Sequence, residues 1–174
     1  MNKIRSLKFF IIVSLLFFSS AVFIIKHGIA KDPNLSLTEA LKNNSIKHAK
    51  QALNAGANPN YKINNRNEIV IVATMSDKFE FAKLLIRRGA NVNAKVDNGT
   101  PLIFFAIARA CQTKKTDAVE YVRFLIANGA DVNSRTAADI TPLCYTKTLN
   151  DEGGCSVITS ILEKHGAITG DTCE

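Results

Sequence analysis

Acidic residues are absent from the first 31 positions of this 174-residue chain, cysteine from the first 110, and tryptophan from all of it. Without acids to oppose them, Lys3, Arg5, Lys8 and Lys26 flank a stretch, Phe9 to Ile25, in which only Ser14, Ser19 and Ser20 are not apolar. That is the composition of a membrane-directed leader rather than of a folded core. With no cysteine near the leader there is nothing to acylate, which disfavours a lipoprotein. Four cysteines are about 2% of the chain, far below the roughly 8–10% of a disulfide scaffold, so bridges can only supplement a core built by other means. The chain also lacks C-x-x-C, G-x-S-x-G and G-x-x-x-x-G-K, which removes the commonest patterns for thiol-metal, nucleophilic and phosphate chemistry.

Gly28-Ile29-Ala30 places small residues after the apolar run, which predicts a signal peptide over 1–30 with cleavage after Ala30. The competing reading is an uncleaved N-terminal anchor, since 17 residues at a 1.5 Å rise span about 26 Å of a roughly 30 Å hydrocarbon layer. Both readings export the remainder, because the basic end stays on the cytoplasmic side. Cysteine usage agrees with an oxidising destination. Cys111, Cys144, Cys155 and Cys173 are an even set, which suggests two bridges with three possible connectivities. The net charge of +7 is mostly the leader's: removing its four basic residues leaves 18 against 15 acids, or +3. Nothing in that balance argues for nucleic acid.

The body repeats. Gly56-Ala57-Asn58-Pro59-Asn60, Gly89-Ala90-Asn91-Val92-Asn93, Gly129-Ala130-Asp131-Val132-Asn133 and a decayed Gly166-Ala167-Ile168-Thr169 recur at spacings of 33, 40 and 37. Between them stand Thr100-Pro101-Leu102 and Thr141-Pro142-Leu143, with Glu68-Ile69-Val70 in the corresponding place of the earlier unit. On these paired motifs the chain resembles the ankyrin-repeat family over about Leu35 to Thr169. The resemblance implies an all-α solenoid of about four helix-turn-helix repeats joined by short β-hairpins. Its repeats fall at about 35–60, 61–93, 94–133 and 134–169, with a tether at 31–34 and a tail at 170–174.

In that frame each Gly closes a second helix, while Thr100 and Thr141 cap first helices whose first position is Pro101 or Pro142. Ser36-Leu37-Thr38-Glu39 has capping-box spacing and predicts a helix to about Asn43, followed by a second from Ile46 to Ala55. Gln51 and Glu163 are polar where the inner repeats are apolar, as terminal repeats require. The family's Thr-Pro-Leu-His motif is incomplete. Ile71, Ile103 and Cys144 stand at its fourth position, so packing or a bridge must replace the histidine's hydrogen bonding. Extra residues at about Ala110–Asp117 and Leu149–Cys155 form insertions on one edge of neighbouring repeats. This predicts a Cys111–Cys155 bridge between two long loops and leaves Cys144 for Cys173.

Catalytic candidates are few. His27 is in the leader, His165 suits the dipole at a helix C-terminus, and His48 aligns with Phe81, Tyr121 and Ile158. Gly153-Gly154-Cys155-Ser156 lacks the nucleophile-elbow order, and Cys144, Cys155, His165 and Cys173 are too irregularly spaced for zinc. The chain reads as a non-enzyme without cofactor or metal.

Carried over from the family, the binding surface comprises the hairpin tips and the first helices. The tips are Tyr61, Lys62, Asn65 and Arg66; Lys95, Val96, Asp97 and Asn98; and Arg135, Thr136 and Asp139. The helices add Met75, Phe105, Arg109, Tyr145 and Lys147, and the insertion Gln112–Thr116 is a further candidate. Tyr and Arg suit such a surface, burying much area or pairing with carboxylates. The partner expected is another protein, such as a secreted toxin or envelope hydrolase, bound by a periplasmic inhibitor or immunity-type protein. A structural adaptor for an envelope enzyme is the alternative, and membrane contact is confined to an uncleaved leader. Non-reducing peptide mapping should yield linked fragments containing Cys111 with Cys155; a Cys111–Cys144 fragment would overturn the expected pairing.

Overall fold

Glycine ends four helices in succession, and each time for the same local reason. Gly56, Gly89, Gly129 and Gly166 have φ of +95°, +92°, +91° and +78°, a left-handed turn that L side chains resist. The turn lets the following alanine donate back into the helix: Ala57, Ala90, Ala130 and Ala167 each bond a carbonyl five residues earlier at 3.0 Å. The Gly-Ala pair is therefore a helix terminator, and it divides the chain into four helix pairs.

The computed structural model describes residues 31–113, 115–149, 155–170 and 173. The leader, Lys114, Gly153 and Gly154 lie outside the described residues. Eight helices are found among the described residues. The pairs are α1 (Pro33–Lys42) with α2 (Ile46–Asn54), α3 (Ile69–Met75) with α4 (Phe79–Arg87), α5 (Leu102–Thr113) with α6 (Thr116–Ala127), and α7 (Pro142–Thr148) with α8 (Cys155–Lys164). Second helices stack in the order α2, α4, α6, α8, and first helices α3, α5 and α7 stack beside them. A two-stranded hairpin, β1 (Lys62–Ile63) with β2 (Asn67–Glu68), precedes α3. The next finger has a single antiparallel bridge, Lys95 to Pro101, and the last is held by turn bonds between Thr136 and Ile140 and between Asp139 and Thr136.

One continuous core runs from Leu37 to Leu162. Ile71, Ile103 and Cys144, at the motif position that lacks histidine, are all buried, so packing does replace the missing hydrogen bonds. The largest fully buried side chain is Tyr121, stacked on Phe79 with centroids 5.0 Å apart. Its hydroxyl is 2.7 Å from that of Thr74, which also donates to the Val70 carbonyl. Burial drives the Tyr121 hydroxyl well above its ordinary pKa, so it stays protonated and able to donate. Gln51 and Glu163 are exposed at the two ends of the stack.

Beyond the core, asparagines tie repeat to repeat. Asn60 donates to the Gly89 carbonyl at 3.1 Å and accepts from the Asn91 amide at 2.6 Å. Asn93 repeats this with Gly129 and Asp131, and Asn133 with Gly166 and Ile168. Within each loop Asn58, Asn91 and Asp131 accept from the amide two residues on, and Asn34 starts the series by accepting from Asn58.

Several expectations change. The first helix begins at Pro33, so residues 33 and 34 belong to the fold rather than to a tether. Ser36 lies inside that helix rather than capping it, and Thr38 donates to the Asn34 carbonyl. Thr141 does cap its helix, accepting from the Cys144 amide at 3.2 Å, with Pro142 at the start. Pro101 instead precedes α5, in the bridge with Lys95. The expected insertion at 110–117 is mostly helix: α5 and α6 each have 12 residues where α3 and α4 have 7 and 9. Cys111 is thus buried in a helix and is not on a loop. Replacing Asn93 with Ala removes two inter-repeat hydrogen bonds and should lower unfolding stability by about 1–2 kcal/mol, read as a reduced urea midpoint at unchanged slope.

Candidate functional site

The lengthened α5 carries Phe104, Phe105 and Ala108 along its side toward the fingers, and α7 sets Tyr145 beside them. The Phe104 and Tyr145 rings lie 5.3 Å apart and tilted by 45°. Two fingers close the flanks, Asn98 and Thr100 on one side and Thr136, Ala137, Ala138 and Ile140 on the other. Together these residues enclose a groove of about 490 Å³, within the range of protein ligand clefts. Its lining contains no charged side chain. Partial burial raises the pKa of the Tyr145 hydroxyl, which keeps it a neutral hydrogen-bonding group in an apolar setting.

The sequence explains why the groove is open here. At the tips of the first two fingers stand Asn64-Asn65 and Asp97-Asn98, but the third has Ala137-Ala138. Short apolar tips leave room above α5 where longer polar ones would fill it. Asp139, at φ +61°, makes the left-handed turn that glycine makes at Gly99. Thr100, Phe104, Ala108, Ala137, Ala138 and Ile140 were missed in the motif-based surface, and the alanine pair at the tip was the available signal.

Of the binding residues expected from sequence, Asn98 and Thr136 from the tips and Phe105 and Tyr145 from the helices line this groove. Arg109 is engaged by Asp77 through two bonds, Nε to Oδ1 and Nη2 to Oδ2, which raise the guanidinium pKa further. Arg135 bonds Asp139 within its own finger at 2.5 Å. Lys95 and Arg135 come together across a second, smaller cleft of about 300 Å³ between neighbouring loops. Tyr61 is half-buried, while Lys62, Arg66 and Asp97 are exposed on the first two fingers, apart from the groove lining.

Cysteine pairing bears directly on the groove. Cys111 in α5 is bonded to Cys155, the first residue of α8, with Cα atoms 4.7 Å apart, and Cys144 in α7 is bonded to Cys173, with Cα atoms 5.5 Å apart. The bridges close 44 and 29 residues of chain, a restriction of the unfolded state of about 4 kcal/mol each in the chain-entropy picture. With all four sulfurs in bridges, none is a thiolate ligand for zinc. His165 Nδ1 lies 2.8 Å from the Ile161 carbonyl, and His48 Nδ1 lies 2.8 Å from the hydroxyl of Ser45, the residue capping α2. Both histidines serve helix ends.

A stack of helix pairs with projecting fingers and an uncharged groove is the architecture of a repeat-type binding module. A family model of ankyrin repeats in three copies matches residues 37–136, more than half of the chain, and the chain belongs to that family. It is thus a protein–protein interaction module. Among curated proteins, none matches it.

The first finger contains a titrating group with a predictable sign. Glu68 is half-buried at the entrance to α3, and its Oε2 has no hydrogen-bond partner among the described residues. Desolvation raises its pKa, and the charge of Lys62 opposes that only in part. A raised folded-state pKa favours folding when the carboxyl is protonated, and the advantage disappears as pH rises through the folded value. Glu68→Gln should therefore be more stable than the wild type at pH 7, and the difference should vanish on acidification below the carboxylate range. Urea midpoints of the two proteins at pH 7 and pH 3.5 measure it.

Proposed function

We propose that the chain is a non-enzymatic, periplasmic protein that binds an envelope-acting toxin or hydrolase and blocks it. The groove carries the reading: an uncharged cleft with three aromatic rings suits a projecting apolar side chain of another protein. Filling it would contribute about 1.5–3 kcal/mol per buried large side chain. The leader's composition and the two bridges support export to an oxidising compartment. Bracing lowers the entropy cost of binding, because the walls are ordered before the partner arrives.

The wild-type protein, immobilised, should retain a partner from the exported fraction. Phe105→Ala or Tyr145→Ala should weaken that retention at least tenfold, and Arg66→Ala on the distant first finger less than threefold. Stoichiometric addition should abolish the partner's activity. An unchanged activity would leave a structural adaptor, and retention indifferent to both groove substitutions would remove the groove from the account.

A further inference from the structure

We propose that the two cysteine bridges form a redox gate on the groove, so that the reduced chain folds as far as its third repeat and acquires the groove only on oxidation. This rests on the reading of the groove as the binding site. One of its walls, α5 with the finger containing Asn98 and Thr100, belongs to the third repeat. The other, α7 with the finger containing Ala137 and Ala138, belongs to the fourth.

Among the described residues the fourth repeat packs on one neighbouring repeat only, where the second and third have two. Terminal units of this kind open locally at lower free energy than the interior. Both bridges act on this repeat, and each of its helices carries one of the cysteines: Cys144 in α7 and Cys155 in α8. No cysteine lies in the first two repeats.

The two bridges hold different parts. Cys111–Cys155 fastens α8 to the last turn of α5, the helix whose Phe104 and Phe105 form the groove wall. Cys144–Cys173 draws the tail across α7, one residue from Tyr145. Along that tail, Thr141 donates to the Ile168 carbonyl at 3.0 Å, and buried Gly170 is closely packed, since a Cβ there would lie 3.2 Å from both the Arg135 and the Thr141 side chains. The tail thereby clamps the base of the finger that carries Ala137 and Ala138. By contrast the third repeat is locked to the second without a bridge, with Tyr121 packed on Phe79 and bonded to Thr74.

Closing each bridge takes two electrons and two protons from a pair of thiols. A disulfide oxidant of the exported compartment accepts them and leaves as its dithiol. A chain still in a reducing compartment lacks the groove and cannot engage a partner prematurely.

Hydrogen exchange of the purified protein, followed by mass spectrometry before and after reduction with dithiothreitol, tests this without any partner. Reduction should accelerate exchange at least tenfold over 141–149 and 155–164 and leave 69–87 within about twofold. The Cys144→Ser/Cys173→Ser variant should reproduce the effect over 141–149 without reductant. Unchanged exchange in the fourth repeat, or equal acceleration of all four repeats, would overturn the gate. A failed partner capture with the expected exchange pattern would count against the functional reading alone.

Discussion

The geometry of the stack depends on an amide side chain that uses both of its ends. At Asn60, Asn93 and Asn133 the amide nitrogen donates to the carbonyl of the next repeat's terminating glycine, and the oxygen accepts from an amide two residues beyond it. Those loop groups sit where helix has ended and sheet has not begun, so without the asparagine they would be left to water. Aspartate could accept but not donate, and glutamine would add a methylene that shifts the loop. The ladder thus sets the distance between successive repeats at the root of each finger. From that root the fingers project, and the width of the groove follows.

Core packing completes what the ladder positions. The buried isoleucines at the motif's fourth position gain burial where the family pattern has a polar network, which trades directional bonding for area. Area alone does not specify alignment, since apolar contacts are non-directional. Alignment between the second and third repeats is restored by a polar pair in the core, Thr74 and Tyr121. Between the third and fourth it is restored covalently, by Cys111 with Cys155. The two solutions occupy successive junctions of the same stack.

Much of this was legible in the residues. The Gly-Ala signature located all four helix ends, and the apolar character at 84–86 and 124–126 placed the inner helices. Other features depend on information that motifs do not hold. Pro33 starts a helix because the first position tolerates its missing N–H, a signal outweighed by the capping-box pattern three residues later. The 110–117 segment looked like a loop because it exceeded the repeat length, yet Ala108-Arg109-Ala110 continues α5 and Ala118, buried, continues the same packing in α6. Extra length is read as a loop only when its apolar spacing is ignored. The groove itself was half visible: Phe105 and Tyr145 were singled out as aromatic, while the alanines that make room for a ligand offered no chemistry to notice.

Charge was the feature that ranked candidate residues in the sequence, and the structure changes how it should be weighed. Arg109 and Arg135 already hold carboxylates, so a partner's acid must displace Asp77 or Asp139 before it gains anything. The exchange of one partly solvated pair for another is close to neutral, since such pairs contribute about 0–1 kcal/mol. A buried apolar side chain faces no such competitor. The groove has only water to release, and each large side chain it covers adds two or three times that amount. On the proposed reading, affinity at this surface is therefore carried by the uncharged cleft between the third and fourth repeats, and the charged fingers act on which partners can approach it.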